Sequence, residues 1–320
     1  MTVRVLLSGL ALLLAAGAQA QTFPAKPVRV IVPFPPGGGN DVIGRVVAQK
    51  LTERWGQQVV VENRAGANGM VGLQVTAQAA PDGYTLATAA AGPMAVNPAL
   101  YAKIPYDPVK DFTPVTNMVN FPLLLVTHPS LPAKSVKEII ALAKARPDQL
   151  SYCSPGSGNS GHLAGELFNN MAGTKILHVP YKGAGPAVTD LIAGHVQMFF
   201  SSIPSVIQYV DAGRLRGIAV GNLKRIPSLP DIPTVAESGL PGYEAYSWVG
   251  MVGPANMPKD VVGKINRDIV DILRQKDVGE RLVQQGAIPD VGTPEQFAAY
   301  IKAEIAKWGA VVRKANIKAD

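Results

Sequence analysis

Residues 33–41, PFPPGGGND, join a short apolar run to an amphipathic helical pattern and form the first candidate binding loop. The glycines let the backbone approach a bound group closely, and the prolines restrict its conformers. Asn40 or Asp41 is a suitable helix cap, and a helix start exposes N–H groups that attract an anion. The Gly-Lys-Ser/Thr ending of a Walker A loop is absent. The sequence therefore favours an anion site built from main-chain N–H groups, with a plain capped turn as the alternative.

A second glycine-rich turn lies within residues 152–168, YCSPGSGNSGHLAGELF, between a predicted strand and a predicted helix. Its glycines at 156, 158 and 161 match the pattern G-x-G-x-x-G of dinucleotide-binding proteins. That fold needs an acidic residue about twenty residues on, at the end of the next strand, where this chain has ILHVPYKG and His178. The match therefore does not support a dinucleotide. It leaves a group of N–H and hydroxyl donors at a helix start, from Ser154, Ser157, Asn159 and Ser160.

Three further turns combine small residues with a strand end or a helix start. They are ENRAGANGMVG at 62–72, TAAAGPMAVNP at 88–98 and PYKGAGP at 180–186. Because such turns occur in both halves of the chain, we expect a ligand that is held from two sides. A molecule with a carboxylate at each end suits this arrangement, since each hydrogen bond to a charged group contributes about 1.5–3 kcal/mol.

Side chains with catalytic potential do not form a recognisable set. There is no G-x-S-x-G motif, and the four histidines lack metal-ligand spacing. Cys153, the only cysteine, is interpreted as a small buried residue rather than a nucleophile. His162 can donate to an anion or make a local bond at a helix start, and Lys182 can attract an anion or simply lie exposed. Trp248 can form a wall of the site or pack where the chain crosses between its halves.

Residues 1–20, MTVRVLLSGLALLLAAGAQA, have the features of a secretory signal peptide: an early Arg4, an apolar stretch and a small-x-small ending at Ala20. A cut after Ala20 makes Gln21 the first mature residue. No cysteine lies near the cut to carry a lipid anchor, and no other stretch is apolar enough to cross a membrane. We therefore expect a soluble protein that is exported to a bacterial periplasm.

The 320-residue chain has a net charge of +7, from 30 basic and 23 acidic residues, and the basic residues are scattered. No basic stripe alternates with aromatic residues, so we expect no nucleic acid partner. A mild attraction for small anions fits this charge better. Removing 20 of the 320 residues leaves 300, enough for two modest domains or one large one. We expect no cofactor, no metal and a monomer.

Short apolar runs alternate with helical patterns, which is typical of an α/β fold. VRVIV at 28–32 reads as a strand and 41–56 as a helix, and the same order restarts later, with a helix at 162–173. Two long extended segments, at 114–128 and 243–254, flank this second block. They predict two α/β lobes joined by two crossing strands, with a binding cleft between the lobes. The predicted bounds are 21–123 plus 248–320 for lobe one and 124–247 for lobe two.

Four segments, taken in order and after a signal peptide, resemble the Bug-type solute receptors of tripartite tricarboxylate transporters. They are PFPPGGGND, VVVENRAGANGMVG, SPGSGNSGHLAGELF and HVPYKGAGPAVTDLIAGHVQMFF, and the resemblance covers nearly the whole mature chain. It implies a periplasmic two-lobed binding protein of type II, the "Venus flytrap" fold. It also implies capture of a small carboxylate without catalysis, such as an amino acid, a di- or tricarboxylate or an aromatic acid. The receptor would deliver this ligand to the permease subunits of a membrane transporter.

The same resemblance implies ligand-binding residues in both lobes. In lobe one they are Phe34, Gly38, Gly39, Asn40, Asp41, Ala90 and Ala91. In lobe two they are Ser154, Gly158, Asn159, Ser160, His162, Lys182, Gly183, Ala184 and Ser202, and we add Trp248 from the returning segment.

Two positions depart from the family pattern. The chain reads AGPM at 91–94 where many relatives have a Thr-His pair, and Ser201 stands where many have Asp. Both changes make the expected pocket less polar. They favour a carboxylate with an apolar or aromatic body over an amino acid.

Two other functions remain open from the sequence. Some members of the family act in sensing, so a periplasmic ligand sensor for a signalling receptor shares the same binding chemistry. A periplasmic hydrolase or transferase is suggested by hydroxyls beside a histidine at a helix start. Its nucleophile would be Ser157, Ser160 or Cys153.

Overall fold

The computed structural model describes residues 23–317, so the predicted signal peptide and the cut after Ala20 lie outside the described residues. The first part of the chain forms β1 (Val28–Val32), α1 (Gly39–Trp55), β2 (Val59–Asn63), α2 (Met70–Ala77), β3 (Thr85–Ala90), α3 (Asn97–Leu100) and β4 (Phe112–Thr127). The middle forms α4 (Val136–Ala145), β5 (Ser151–Ser154), α5 (Ser160–Ala172), β6 (Leu177–Pro180), α6 (Ala184–Ile192), β7 (Met198–Ser202), α7 (Ile203–Asp211) and β8 (Arg216–Val220). The last part forms β9 (Tyr246–Pro254), α8 (Lys259–Leu273), α9 (Lys276–Gln284), β10 (Ile288–Pro289) and α10 (Pro294–Lys314).

The strands form one continuous sheet in the order β2-β1-β3-β9-β4-β7-β5-β6, and β8 and β10 also pair with β4. Pairing is parallel among β2, β1 and β3 and among β6, β5 and β7. The central strands β9 and β4 run antiparallel to their neighbours. Each parallel block follows from the predicted βαβ order, because a helix must cross over between parallel strands. The predicted α/β class is confirmed.

Strand β4 joins the two parallel blocks. Its residues up to Pro122 pair with β9, whereas those from Leu123 onward pair with β7. The chain returns along β9, where Tyr246 pairs with Pro122. The prediction of a two-lobed fold with two crossing strands is therefore confirmed. The exact bounds of the lobes, at 123/124 and 247/248, stay a prediction.

Helix α10 packs on the cores of both lobes. Its first half places Phe297 and Ile301 in a cluster with Trp248. Its second half places Trp308 in a cluster with Phe168 of α5. The same helix therefore spans the region where the strands cross.

Strand β1 is buried between helices except at Arg29. Four of its five residues are buried, as expected for a parallel strand covered by helices on both sides. No helix within residues 23–317 combines the length and the apolar composition needed to cross a membrane.

Candidate functional site

A cavity of about 490 Å³ lies between the two lobes and is lined from both. Within the described part of the chain, no Lys, Arg, His, Asp or Glu lines it. A bound molecule therefore meets backbone groups, hydroxyls, side-chain amides and apolar side chains. The lining residues are Gly37, Gly39, Asn40, Val42, Ile43, Phe121, Leu123, Pro155, Asn159, Ser160, Gly161, Ala184, Phe199, Phe200, Ser201, Ser202, Pro204, Ser205, Ser247 and Gln285.

The structure brings part of the predicted set together at this cavity. The predicted residues that line it are Gly39, Asn40, Asn159, Ser160, Ala184 and Ser202. Those that do not line it are Phe34, Gly38, Asp41, Ala90, Ala91, Ser154, Gly158, His162, Lys182, Gly183 and Trp248. Contact of the first group with a ligand stays a prediction.

Helix α1 opens onto the cavity at its first turn. It begins at Gly39, two residues earlier than predicted, and the N-cap residue Gly38 makes no side-chain cap bond. The expectation that Asn40 or Asp41 caps the helix is therefore wrong, because both lie inside the first turn. The first N–H groups of a helix have no intrahelical acceptor, so this turn can bind an anion. Glycine makes this approach easy, since a Cβ on Gly39 would lie 3.0 Å from Cζ of Phe121, which is a tight contact.

Asp41 lies behind this loop and holds it in place. Its carboxylate is buried and accepts hydrogen bonds from the Gly37 N–H at 2.9 Å, Arg45 Nε at 3.0 Å and Asn63 Nδ2 at 2.8 Å. Burial raises the pKa of Asp41, but the hydrogen bonds from Arg45, Gly37 and Asn63 together lower it below its ordinary value. The charged carboxylate therefore holds the loop and does not line the cavity, whereas the family resemblance implied a ligand contact for Asp41.

The other predicted residues of lobe one that do not line the cavity are Phe34, Gly38, Ala90 and Ala91. Phe34 accepts a hydrogen bond from Asn63 Nδ2 at 3.1 Å through its carbonyl. Ala90 ends β3, Ala91 follows it, and both are buried. Immediately after them, Gly92–Val96 forms a π-helical turn whose Met94 is fully buried. This turn therefore packs into the core.

The loop between β5 and α5 forms the facing wall. Helix α5 begins at Ser160, two residues earlier than predicted, and Asn159 caps it. The Asn159 Oδ1 accepts from the N–H groups of Gly161 at 2.8 Å and His162 at 3.1 Å. The side chain of Asn159 is thereby fixed, while Ser160 stands at the cavity on the first turn of the helix.

Gly161 sets how closely α5 approaches the sheet. A Cβ at this position would lie 2.6 Å from the Phe200 carbonyl oxygen of β7, closer than real side chains pack. Both Gly161 and Phe200 line the cavity. This contact therefore fixes the position of the α5 N-terminus relative to β7 at the cavity.

Two stacked histidines, His162 and His178, contact this loop on the side away from the cavity. His162 is buried, and its Nδ1 accepts from the Gly158 N–H at 3.0 Å. Its ring stacks on His178 with centroids 3.6 Å apart. The Nε2 of His178 lies 2.7 Å from Oγ of Ser154, which is fully buried. His162, Gly158 and Ser154 thus organise the loop, and His162 makes the local bond rather than lining the cavity.

The α6 start contributes one predicted residue to the cavity. Ala184 lines it, whereas Lys182 is exposed and does not. Gly183 adopts a positive φ of 108° and donates its N–H to the Pro155 carbonyl at 3.0 Å. The two loops of lobe two are therefore joined by a main-chain bond.

The α7 start forms a hydroxyl-rich end of the cavity. Ser202 precedes the helix and makes no side-chain cap bond. Its Oγ lies 2.8 Å from Oγ of Ser205. Ser201, Ser202 and Ser205 all line the cavity, and sequence reasoning missed Ser205.

Trp248 is fully buried and packs in the crossing region. Its indole N–H donates to Glu304 at 3.0 Å, and its ring meets Phe297 edge to face. Successive residues of a strand point to opposite faces. The neighbouring residue Ser247 therefore lines the cavity in its place.

Sequence reasoning also missed the apolar walls and one amide. Phe121 and Leu123 come from the crossing strand β4, and Phe199 and Phe200 from β7. Gln285, at the end of α9, reaches the cavity from the last part of the chain. The apolar stretch at 121–125 was visible in the sequence, but no motif marked Gln285.

The side chains considered as nucleophiles are not arranged for catalysis. Cys153 is fully buried, its Sγ lies 3.5 Å from the Met198 carbonyl oxygen, and burial raises the pKa of its thiol to about 12. Ser154 lies within hydrogen-bonding distance of His178, but the Ser154 hydroxyl does not line the cavity. Ser160 does reach the cavity, whereas Ser157 is not among its lining residues.

Comparison with known proteins gives a consistent result. A family model described as "Tripartite tricarboxylate transporter family receptor" matches residues 43–317. Protein BugT of Bordetella pertussis (strain Tohama I) is 40% identical over 306 residues, which cover 95% of this chain and 94% of BugT.

Two solved structures share both sequence and fold with this chain. The R. palustris protein Rpa4515, solved with adipate, has a TM-score of 0.79 and 37% identity, covering 92% of this chain and 99% of that one. MatC (Rpa3494) from Rhodopseudomonas palustris, with bound malate, has a TM-score of 0.75 and 32% identity, covering 91% of this chain and 100% of MatC. The chain therefore belongs to the tripartite tricarboxylate transporter family of receptors, whose members bind solutes and are not enzymes.

Proposed function

We propose that this protein is a periplasmic receptor that binds a small organic carboxylate between its lobes and delivers it to a tripartite membrane transporter. The observation that carries the proposal is the composition of the cavity wall. Helices α1, α5, α6 and α7 each place first-turn or preceding residues in a cavity that no charged side chain lines within residues 23–317. At α1, where no side chain caps the helix, the first N–H groups favour a negatively charged ligand, whereas α5 contributes Ser160 because Asn159 already caps its N–H groups.

The affinity expected from such a site is that of a transport receptor. Each hydrogen bond to a charged group contributes about 1.5–3 kcal/mol. Four to six of them, after the cost of ordering the ligand, are enough for about −8 kcal/mol, which corresponds to micromolar binding. We expect Gly39, Asn40, Asn159, Ser160, Ala184 and Ser202 to contact the ligand.

The cavity also favours a ligand with an apolar body. Carbon surface in the cavity wall comes from Val42, Ile43, Phe121, Leu123 and Phe199. Ser201 provides no charge for an amino group. The adipate bound to one relative and the malate bound to another support the choice of a dicarboxylate for this chain.

The transport role rests on family membership and on the N-terminal sequence. A signal peptide cut after Ala20 would export a mature chain that begins at Gln21. Intact-mass measurement on protein purified from the periplasm tests this cut. Co-purification with permease subunits tests delivery to a transporter, and retention of a signalling receptor instead would favour the sensor alternative. We expect the exported receptor to be a monomer.

The binding proposal is tested by melting the protein with a panel of mono-, di- and tricarboxylates. The sample is first unfolded and refolded to remove any ligand that it carries. A carboxylate at one hundred times its dissociation constant adds about 2.7 kcal/mol to the free energy of unfolding, which gives a measurable rise in melting temperature. A flat response to every carboxylate would contradict the proposal.

A pair of adjacent variants localises the binding. Ala184→Trp places a large ring in the cavity, whereas Gly185→Trp places the same ring one residue away, where nothing lies within 4 Å of an added Cβ. Only the first variant should lose the ligand-induced rise in melting temperature. The melting temperature of each variant without ligand checks that it folds.

A further inference from the structure

Gln285 is held at the cavity by a well-defined turn at the end of α9. The N–H of Gln285 donates to the Leu282 carbonyl at 2.9 Å, and the next residue, Gly286, donates to the Val283 carbonyl at 2.9 Å. Two residues later, Ile288 pairs with Asn120 of the crossing strand β4. The turn is therefore fixed by its helix on one side and by the sheet on the other.

The same turn reaches the α7 end of the cavity. A Cβ on Gly286 would lie 2.6 Å from Cγ of Pro204, the second residue of α7. Pro204 is flanked in the cavity wall by the Ser202 and Ser205 hydroxyls, which lie 2.8 Å apart. Gln285 thus joins these hydroxyls at one end of the cavity, although it comes from a distant part of the chain.

The side-chain amide of Gln285 is not fully hydrogen bonded within the described residues. Its Oε1 is buried and has no partner among residues 23–317. A carboxylate cannot pair with this oxygen, because both are acceptors, so the contact with an anionic ligand comes from the two donor hydrogens of the amide NH2 group. A primary amide offers one acceptor and two donor hydrogens, and a half turn of the group exchanges them. Gln285 can therefore serve an anionic or a neutral polar group without adding charge.

We propose that Gln285 determines specificity by hydrogen bonding the second carboxylate of a dicarboxylate ligand, at the α7 end of the cavity. This inference rests on the proposed function. The first carboxylate binds at the helix start of α1, opposite Ser160 of α5, and the apolar walls hold the connecting chain. Gln285, Ser202 and Ser205 then supply donors to the far carboxylate, so a monocarboxylate of the same length leaves this end unsatisfied.

The test compares straight-chain monocarboxylates with α,ω-dicarboxylates of the same carbon number, from butanoate and succinate to octanoate and suberate. Titration calorimetry measures their affinities for wild type, Gln285→Leu, Gln285→Glu and Gln284→Leu. Gln284 is the matched control, because it ends α9, is exposed and does not line the cavity. Wild type should bind the best dicarboxylate at least about tenfold more tightly than its monocarboxylate partner, a ratio equal to about 1.4 kcal/mol.

Gln285→Leu should remove most of that ratio by weakening the dicarboxylate alone, and Gln285→Glu should reduce it further through like-charge repulsion. Gln284→Leu should match wild type. An equal loss for both ligand types, or no loss at all, overturns the role of Gln285 while the protein still binds carboxylates. The same holds if wild type shows no preference for any dicarboxylate. If no carboxylate in the wider panel binds, the proposed function itself fails.

Discussion

The indole N–H of Trp248, on the returning strand β9, donates to the Glu304 carboxylate of α10 at 3.0 Å. Trp308, one helical turn further along α10, donates its own indole N–H to the same oxygen at 2.6 Å. Lys307 lies 3.3 Å from the other oxygen. This buried carboxylate therefore ties the crossing strand to the helix that packs on both lobes.

Replacing Glu304 should destabilise the fold more than it weakens binding. Glu304→Leu leaves two buried indole N–H groups without acceptors, so we expect a loss of about 2–5 kcal/mol in the free energy of unfolding. Glu304→Gln keeps an acceptor oxygen and should lose less. Urea unfolding measures both values. Glu280→Leu, at an exposed position on α9, is the control, and an equal effect there would contradict the structural role of Glu304.

Asp41→Asn should reveal the positioning role of that carboxylate through its pH dependence. The folded-state pKa of Asp41 lies below the ordinary value of 3.8. Its charge therefore stabilises the fold above that value, and this contribution is lost as the pH falls through the folded-state pKa. The difference in unfolding free energy between wild type and Asp41→Asn should be constant between about pH 5 and 8 and shrink below about pH 3.8. Denaturant titrations at a series of pH values measure this difference.

The same variant should also weaken ligand binding. Without the charged acceptor, the Gly37 N–H and Arg45 lose their anchor, and the loop that presents the α1 start becomes less ordered. We expect about a tenfold loss of carboxylate affinity, equal to about 1.4 kcal/mol. Asp231→Asn removes an exposed carboxylate and should leave the affinity unchanged. An unchanged affinity in Asp41→Asn would show that the loop does not need this anchor.

Gly161→Ala and Gly185→Ala form a matched pair at the second residues of α5 and α6. At Gly161 the added methyl group meets the Phe200 carbonyl oxygen at 2.6 Å, whereas at Gly185 nothing lies within 4 Å. Overpacking of this kind costs about 1–3 kcal/mol, while the open helical site should gain up to about 1 kcal/mol. Thermal unfolding should therefore shift in opposite directions. Two shifts of the same sign would contradict the close packing of α5 on β7.

Cys153 should behave as an inert buried thiol. Burial raises its pKa to about 12, so the reactive thiolate is scarce at mildly alkaline pH. We expect almost no reaction with a disulfide reagent in the native protein and one reactive thiol per chain in concentrated guanidinium chloride. Rapid modification of the native protein would show that this strand end is accessible, and would revive Cys153 as a nucleophile.

The sequence predicted the elements well and their ends less well. The bounds of β1 are those expected, because four β-branched residues in five positions are easily recognised as a strand. Helices α1 and α5 begin two residues earlier than predicted, at Gly39 and Ser160. Glycine and serine are weak helix formers, so the periodic pattern becomes visible only after the first turn. That first turn is the part of each helix that faces the cavity.

The residues that line the cavity were harder to predict. They depend on which face of each strand points into the cavity and on which distant parts of the chain meet there. Trp248 was predicted at the site because it is large, but side chains alternate between the two faces of a strand, and Ser247 lines the cavity instead. Gln285 was missed because α9 shows only one apolar pair at helical spacing, Val278 and Leu282, and no helix was predicted there. The sequence of a short polar turn does not indicate which distant loop the turn will contact.

The contact between Gly286 and Pro204 offers a direct test of whether the two lobes must meet at this point for binding. Gly286→Ala introduces a Cβ that would lie 2.6 Å from Cγ and 2.7 Å from Cδ of Pro204, and it also strains a residue at a φ of 72°. Carboxylate affinity should fall severalfold. Pro204→Ala removes the two clashing ring atoms, so the double variant should recover the part of the loss that comes from the clash. A double-mutant cycle measured by calorimetry separates that part from backbone strain, which Pro204→Ala leaves in place. If the two losses simply add, the contact between the lobes plays no part in binding.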